Sequence, residues 1–478
     1  MTRMQESPFD LIVIGGGPGG STLSTLVAMR GHRVLLLERE EHPRYSIGES
    51  TLPYSLGICK LLGLGTELSK AGFTKKLGGM WRWGTLDNVV WVDFRAVIPE
   101  PVLDGAYAYQ VERSKFDEIL FRNTLHHGVD ARERHVVDDL IEENGRIDGV
   151  RYTDHHGNRG VARARYVADA GGHSSRFHQL CGHRMFAERF RNFALFCYFN
   201  GGKRLPEPMS GSILNVTFRH GWFWYIPLAP DLTSVGAVLP IAKAKLLKEG
   251  HDQAMRGFID DCPTIKEYLA GAERITEGMY GQHRVRRDWS YLNTKFWRPG
   301  LVLVGDAACF VDPLFSTGIH LSTYSALLAA RSINTLLGGS SKEDLYFNEF
   351  ERRYRTEYAK FYTFLSSFYD ENQTKEEYFR TAGEILKGKE DDYKAFVRLV
   401  SGWSTSETGG AASTAAEKRT DSPPQTLSEK SFGNAFDDSE SDIFSMALGT
   451  APSASRSDHL NPSADSLSWR EATRHANR

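Results

Sequence analysis

Three glycines near the start of the chain, Gly15, Gly17 and Gly20, stand in the G-x-G-x-x-G spacing, and the acidic Glu38 follows about twenty residues on. Glycines so placed let a backbone turn tightly, approach a pyrophosphate and pack a helix on a strand, while the acid accepts from a ribose hydroxyl. The chemistry this set could do is dinucleotide binding. A second set is Gly305-Asp306, which follows the apolar run Leu301 to Val304. An acid at a strand end beside glycine can hold sugar-like hydroxyls, or it can simply cap a helix. A third set is aromatic. In "GWFWYIPL", from Gly221 to Leu228, Trp222 and Trp224 are two residues apart, so in a strand both indoles project to one side of the sheet. Such a wall is either ordinary core or the lining of a cavity. Pro227 lacks a ladder donor and is expected to close the strand.

These residues need elements to position them. "FDLIVIGGGPGGSTLSTLVAMRGHRVLLLERE" reads as a buried strand (Phe9 to Ile14), a glycine turn, a helix from Gly19 to Arg30 and a second strand (Arg33 to Leu37) ending at Glu38. "IGESTLP" (Ile47 to Pro53) is a loop entering a helix, and "ARYVADAGGHSSR" returns the chain to the nucleotide fold near Asp169. From Arg191 to Pro240, aromatic and β-branched runs alternate with turn signals, the pattern of an antiparallel sheet. Helices are expected over Gln253 to Leu269 and from Ile319 to Val400, the latter stretch opening with a long helix near Gly318. After Ser401 the chain turns Ser/Thr/Ala-rich and loses apolar periodicity, so a disordered tail is expected. The reading is an α/β fold. A dinucleotide-binding Rossmann-like domain spans 8–185 and 283–340, a substrate-binding sheet layer 186–282, C-terminal helices 341–402 and the tail 403–478.

Composition narrows the function classes. At 478 residues with 41% hydrophobic content the chain has material for an enzyme-sized core. A net charge of −2 supplies no basic field for nucleic acid. Five scattered cysteines form neither a disulfide framework nor a metal-ligand pattern, which fits a reducing cytoplasm and no metal. The N-terminal apolar run is too short for a membrane span, and Glu6 and Asp10 do not suit a signal peptide.

Gly305-Asp306 resembles the Gly-Asp of flavoprotein monooxygenases that meets the flavin ribityl chain, and Arg113 in "QVERSKFDEIL" matches an arginine that contacts flavin in those enzymes. On its own, Arg113 would be an ordinary surface arginine before a helix. "GWFWYIP" matches the W-x-W-x-I-P signature of flavin-dependent halogenases, through Trp222, Trp224, Ile226 and Pro227. "FTKKLGGMWRWG" resembles that family's F-x-x-K-x-G segment, with Phe73, Lys76 and Gly78 in register, and "PLFSTGIH" resembles its halide loop. The resemblance runs over residues 8 to 400 and is closest to the halogenases of glycopeptide-antibiotic pathways, which chlorinate phenolic rings. The tail after Ser401 departs from that group.

The resemblance implies FAD, supplied reduced by a separate flavin reductase, and chloride. Oxygen and reduced flavin would form a C4a-hydroperoxide, and chloride attack on it would give hypochlorous acid. Backbone N–H groups of Thr317 and Gly318, at a helix mouth, would hold the halide, where the dipole contributes roughly 0.3–1 kcal/mol. Trp222 and Trp224 would keep the substrate ring away from the flavin, and Lys76 would receive the oxidant. A chloramine role needs the neutral amine, which burial beside Lys75 or Arg82 would favour; adjacent lysines are otherwise usually solvated. Tryptophan-specific members carry a glutamate where this chain has Phe315. Its replacement argues for a ring that activates itself, such as a tyrosine-like phenol on a peptidyl carrier protein in antibiotic or other secondary metabolism, with Phe315 lining the substrate site. An FAD-dependent aromatic hydroxylase is the rival: it shares the fold but gives Lys76 and the paired indoles no role.

Overall fold

The apolar run Phe9–Ile14 forms the central strand of a parallel sheet in the computed structural model, which describes residues 8–84, 88–97, 106–387, 390–403, 460–462 and 465–471. The parallel strands lie in the order Leu301–Leu303, Arg159–Asp169, Phe9–Ile14, Val34–Leu37, Asp130–Arg132. Val34–Leu37 is buried at every position, as a strand covered on both faces must be. The chain order reverses at Phe9–Ile14, and the crevice beyond the carboxyl ends of strands at such a reversal is the ligand position of open α/β sheets. The fingerprint helix, Pro18–Ala28, rises from that point. It packs on a long helix, Thr317–Leu337, where Ser322 of the latter fills the space beside Gly19 and Gly305.

A second sheet of nine strands stands against this body. Its centre is Arg184–Asn200, Leu232–Pro240 and Gly221–Ala229, paired antiparallel as the alternating pattern requires. The sheet is wider than the interval 186–282, because Gly78–Trp83 and Asn88–Asp93 add to one side and Arg284–Asn293 with Cys309–Phe310 to the other. The contact between Gly78–Trp83 and Ile213–Phe218 is parallel, a departure from a purely antiparallel layer. Pro227 does not close its strand. It pairs opposite Thr233, and the strand runs on to Ala229 through a register irregularity, which accommodates the missing donor.

The expected helical stretches are broken by their caps. Residues 251–268 form two helices, His251–Asp260 and Pro263–Tyr268, with Pro263 starting the second. Beyond Thr317–Leu337 come Glu343–Phe368, Lys375–Leu386, which opens on a Thr374/Glu377 capping box, and Asp392–Val400. Most of the tail expected to be disordered lies outside the described residues, but the expectation fails for 465–471. Trp469 and Leu467 are buried against Thr317–Leu337: the indole Nε1 donates to Ser332 Oγ at 3.1 Å, and Asn334 Nδ2 donates to the Leu467 carbonyl at 2.8 Å. The Trp469 ring lies between the guanidinium groups of Arg331 and Arg353, at 5.1 and 4.7 Å. Two isolated apolar residues in a polar tail leave no periodic signal, yet each fills a site. Deleting residues 460–478 is therefore expected to destabilise the protein by roughly 3–5 kcal/mol, read as a lowered denaturation midpoint. An unchanged midpoint would show that the segment contributes no stability.

Candidate active site

One cavity of about 840 Å³ joins the two sheets' functional residues. Gly15, Gly17 and Glu38 line it, and so do Arg113, Asp306, Trp224, Thr317 and Gly318, residues that the chain spreads over more than half its length. At the fingerprint, Gly17 caps the helix with no side-chain hydrogen bond, and a Cβ built there would meet only Arg44 Nη2, at 3.6 Å. An uncapped helix N-terminus with open space and a guanidinium beside it is a seat for phosphate. Glu38 is fixed by two backbone donors: Gly16 N–H to Oε2 at 2.6 Å and Glu40 N–H to Oε1 at 2.9 Å. Arg44 completes this end, 3.1 Å from Asp117 Oδ2 and 3.5 Å from Glu38 Oε2. Arg113 is no surface residue. It is buried, bidentate to Asp117 at 2.7 and 2.9 Å, and its Nη1 donates to the carbonyls of Ile47 and Gly48, pinning the loop that leads to Ser50. Burial pushes the Asp306 carboxyl up to about 6 against the pull of Arg286, Arg113 and Arg184.

Lys76 lies outside the cavity lining, behind Ser50 and Ser316, which do line it; it closes a short strand, Thr74–Lys76, and is 2% exposed. Its Nζ donates to Ser50 Oγ at 2.9 Å, the Thr51 carbonyl at 3.1 Å and Ser316 Oγ at 3.4 Å. Desolvation pulls the amine down to about 7. Lys75 and Arg82 are exposed and contribute nothing to that shift, which corrects the expectation of like-charge neighbours. Ser316 has φ of +58° and precedes the helix Thr317–Leu337 without capping it through its side chain. A left-handed serine is strained backbone of the kind held at functional sites. The uncapped N–H groups of Thr317 and Gly318 begin a helix at the cavity wall, and a Cβ on Gly318 would meet nothing within 4 Å. Lysine and helix mouth thus meet through one hydroxyl.

The two indoles lie on one face, 6.3 Å apart, but they do different things. Trp224 lines the cavity and donates from Nε1 to Ser234 Oγ at 3.2 Å. Trp222 is buried behind it and donates to Tyr369 Oη at 2.7 Å; that hydroxyl in turn donates to Asp312 Oδ2 at 3.1 Å. Phe315 lies outside the cavity lining, buried among Trp81, Phe364 and Phe368 with ring centroids 5.1–6.2 Å away.

The tryptophan halogenase family profile matches residues 10–101 and 98–419. The chain belongs to the flavin-dependent halogenase family. It is 32% identical over 379 residues to a tryptophan 2-halogenase from Chondromyces crocatus, covering 78% of this chain and 70% of that protein. It is 31% identical over 336 residues to a 1H-pyrrole-2-carbonyl-[peptidyl-carrier protein] brominase from Pseudoalteromonas luteoviolacea, covering 70% and 79%. Among solved structures, the myxobacterial chondrochloren halogenase CndH, described as a new variant of FAD-dependent halogenases, is 48% identical with a TM-score of 0.78, over 97% of this chain and all of that one. Other curated halogenases are longer: the chain spans 64–66% of two fungal relatives.

Halogenases of this family use FAD, and the uncapped helix mouth at Gly17 with the acids Glu38 and Asp306, all lining one cavity, fit that cofactor. Sequence reading missed three parts of this halogenase's site. Arg44 and Glu49 carried no motif of their own, and the second indole pair, Trp81 and Trp83, was hidden inside the lysine segment. Trp83 packs on Trp222 with centroids 6.0 Å apart and donates to the Phe368 carbonyl at 2.7 Å. The i, i+2 spacing of "MWRW" was a signal for it. Among the described residues no helix is long and apolar enough to cross a membrane, and no His/Cys/Asp/Glu cluster could hold a metal.

Proposed function

We propose that this halogenase chlorinates a phenolic ring, of a tyrosine-like group carried as a thioester on a peptidyl carrier protein, in cytoplasmic secondary metabolism. The observation that carries the reading is the junction of Lys76 Nζ with Ser316 at the mouth of the Thr317–Leu337 helix, on the wall of the cavity that holds the nucleotide fingerprint. Reduced FAD, when bound, supplies with oxygen the oxidising power that makes halide electrophilic. The residues do the rest. Gly17, Arg44 and Glu38 bind and orient the nucleotide, and the N–H groups of Thr317 and Gly318 hold the halide. Trp224 bars a ring from the flavin side. Lys76, neutral for part of its population near pH 7, then donates only two of its three hydrogen bonds, and the lone pair that replaces the third donor takes up the electrophilic halogen. One feature supports a phenol and another the carrier. Phe315, packed into an aromatic cluster, provides no carboxylate where tryptophan-specific members carry one, so the substrate must be activated by its own hydroxyl. A related brominase is named for a carrier-bound substrate.

The test is chloride-dependent mass gain on free tyrosine and on tyrosyl-carrier protein, with FAD, NADH and a separate flavin reductase. Chlorination ortho to the hydroxyl of the carrier-bound group, with little on the free amino acid, is the expected result. Equal rates on both would remove the carrier from the proposal, and chlorination of indole alone would remove the phenol. Without the reductase, the chain should oxidise NADH negligibly; rapid phenol-stimulated oxidation would make it a hydroxylase.

A further inference from the structure

Halogenation has a proton requirement that the residues so far described leave unmet. One turnover written in balance is FADH2 + O2 + Cl⁻ + ArH + H⁺ → FAD + ArCl + 2 H2O, so each cycle takes one proton from outside. The site must therefore admit one proton in every cycle.

Beside the cavity lies a buried chain of hydrogen bonds. Glu49, in the loop before Ser50, lines the cavity and is 3% exposed. Its Oε1 accepts from the Tyr198 hydroxyl at 2.7 Å, and Tyr198 is itself fully buried on the strand Arg184–Asn200. The Tyr198 hydroxyl is 2.7 Å from that of Tyr45. Tyr45 is the one member of the three with appreciable exposed surface, its ring beneath the Arg284 guanidinium at 3.5 Å. With Tyr198 donating to Glu49, its oxygen is left to accept from Tyr45, so all the bonds point inward. At the inner end, Glu49 Oε2 is buried with no hydrogen-bond partner, and the Ser234 hydroxyl, which accepts from Trp224 Nε1, helps to hold the carboxyl's pKa down.

We propose that Tyr45, Tyr198 and Glu49 form a proton relay that carries the proton consumed in each turnover from the outer edge of the cavity to its indole end. Glu49 releases its carboxyl proton into the cavity. Tyr198 passes its hydroxyl proton to Oε1, Tyr45 replaces it, and hydronium in solvent reprotonates Tyr45, so each residue ends with the number of protons it began with; the Glu49 proton has moved from Oε2 to Oε1, and rotation of the carboxyl and the two hydroxyls resets the chain. The hops are concerted, since burial raises both phenols far above their ordinary range and a free phenolate would be costly. Burial holds the Glu49 carboxyl up at about 7, where it can both give and regain a proton; Ser234, Tyr198 and Arg113 pull it down, and Glu112 pushes it up. The other neighbours carry fixed roles: Arg113 is paired with Asp117, and Glu112 accepts from Tyr280 at 3.0 Å.

The relay rests on the halogenase reading only for what consumes the proton, so its first test needs no turnover. In flavin-free protein, infrared difference spectra across pH should show a protonated carboxyl titrating near 7 that Glu49→Gln removes. In the chlorination assay, Glu49→Gln should lose about 100-fold in kcat. Tyr198→Phe, which deletes one hydroxyl and keeps the ring, should lose about tenfold and show a larger solvent isotope effect, with FAD affinity and thermal midpoint unchanged. No such carboxyl titration, or a Tyr198→Phe enzyme with wild-type rate and isotope effect, would overturn the relay. A Tyr198→Phe enzyme slowed only through weaker FAD binding would do so too, since it would leave these residues a purely structural network.

Discussion

Lys76→Ala is expected to abolish chlorination, by about 1000-fold or more in kcat, while the enzyme still consumes oxygen with reduced flavin at close to the wild-type rate. The separation follows from position. Nζ reaches the turn before Thr317 only through Ser316 Oγ and otherwise bonds Ser50 and Thr51, with no bond to the helix mouth at Gly17. Removing it should leave cofactor binding untouched and strand the oxidant, which would appear as peroxide or hypochlorite released to solvent and trapped by a thiol or a chlorination-sensitive dye. Lys76→Ala with normal chlorination would transfer the role elsewhere. Loss of oxygen uptake in parallel with chlorination would instead make Lys76 part of the cofactor site.

The same lysine gives a pH dependence that can be read without substrate. Burial lowers its pKa from 10.5 to about 7, so between those values the native amine is neutral while the unfolded one still holds its proton. The unfolded state then binds more protons, and this group's contribution makes stability rise with pH across that window. Lys76→Met should flatten the rise in denaturation midpoint between pH 7 and 10. An identical slope in both proteins would mean that the amine is charged in the native state and unavailable to carry halogen.

What could be read from the sequence divides by the range of the interactions involved. Gly15, Gly17, Gly20 and Glu38 lie within one strand–helix–strand unit, and local geometry alone dictates their spacing, so their place in the structure follows the pattern closely. The paired indoles were legible for a similar reason: period two puts them on one face whatever the sheet. That Trp224 lines the cavity while Trp222 anchors Tyr369 depends on the helix Glu343–Phe368 and the residue after it, more than a hundred positions away. Phe315 was read as substrate-lining because it stands where tryptophan-specific halogenases carry a glutamate, but its ring turns into a cluster built by Phe364 and Phe368. Glu49 and Tyr198 are 149 residues apart and become a pair only when the second sheet packs on the first. Likewise Trp469 finds its place only against Arg331, Ser332 and Arg353, more than a hundred positions earlier in the chain.

The second and third glycines of the fingerprint should fail in opposite ways, because the structure gives one of them space and the other none. Gly20 sits where a Cβ would stand 1.8 Å from the Gly15 carbonyl oxygen, and Gly15 is itself held at φ +98° with the Ala170 carbonyl beyond it. Backbone cannot retreat there, so Gly20→Ala should lower the thermal midpoint of the flavin-free protein or prevent folding, at a cost of about 3 kcal/mol or more. Gly17 has φ of −75°, open to any residue, and a Cβ would meet only the tip of Arg44 at 3.6 Å. Gly17→Val should therefore keep the wild-type midpoint without FAD and lose the rise in midpoint that FAD produces, with Kd weakened by about 100-fold or more. Wild-type FAD affinity in Gly17→Val would place the pyrophosphate away from this turn. An unaltered midpoint in Gly20→Ala would mean that the helix shifts to make room. The pair distinguishes a glycine kept for the protein's own backbone from one kept for the ligand, a difference that the G-x-G-x-x-G pattern writes with the same letter.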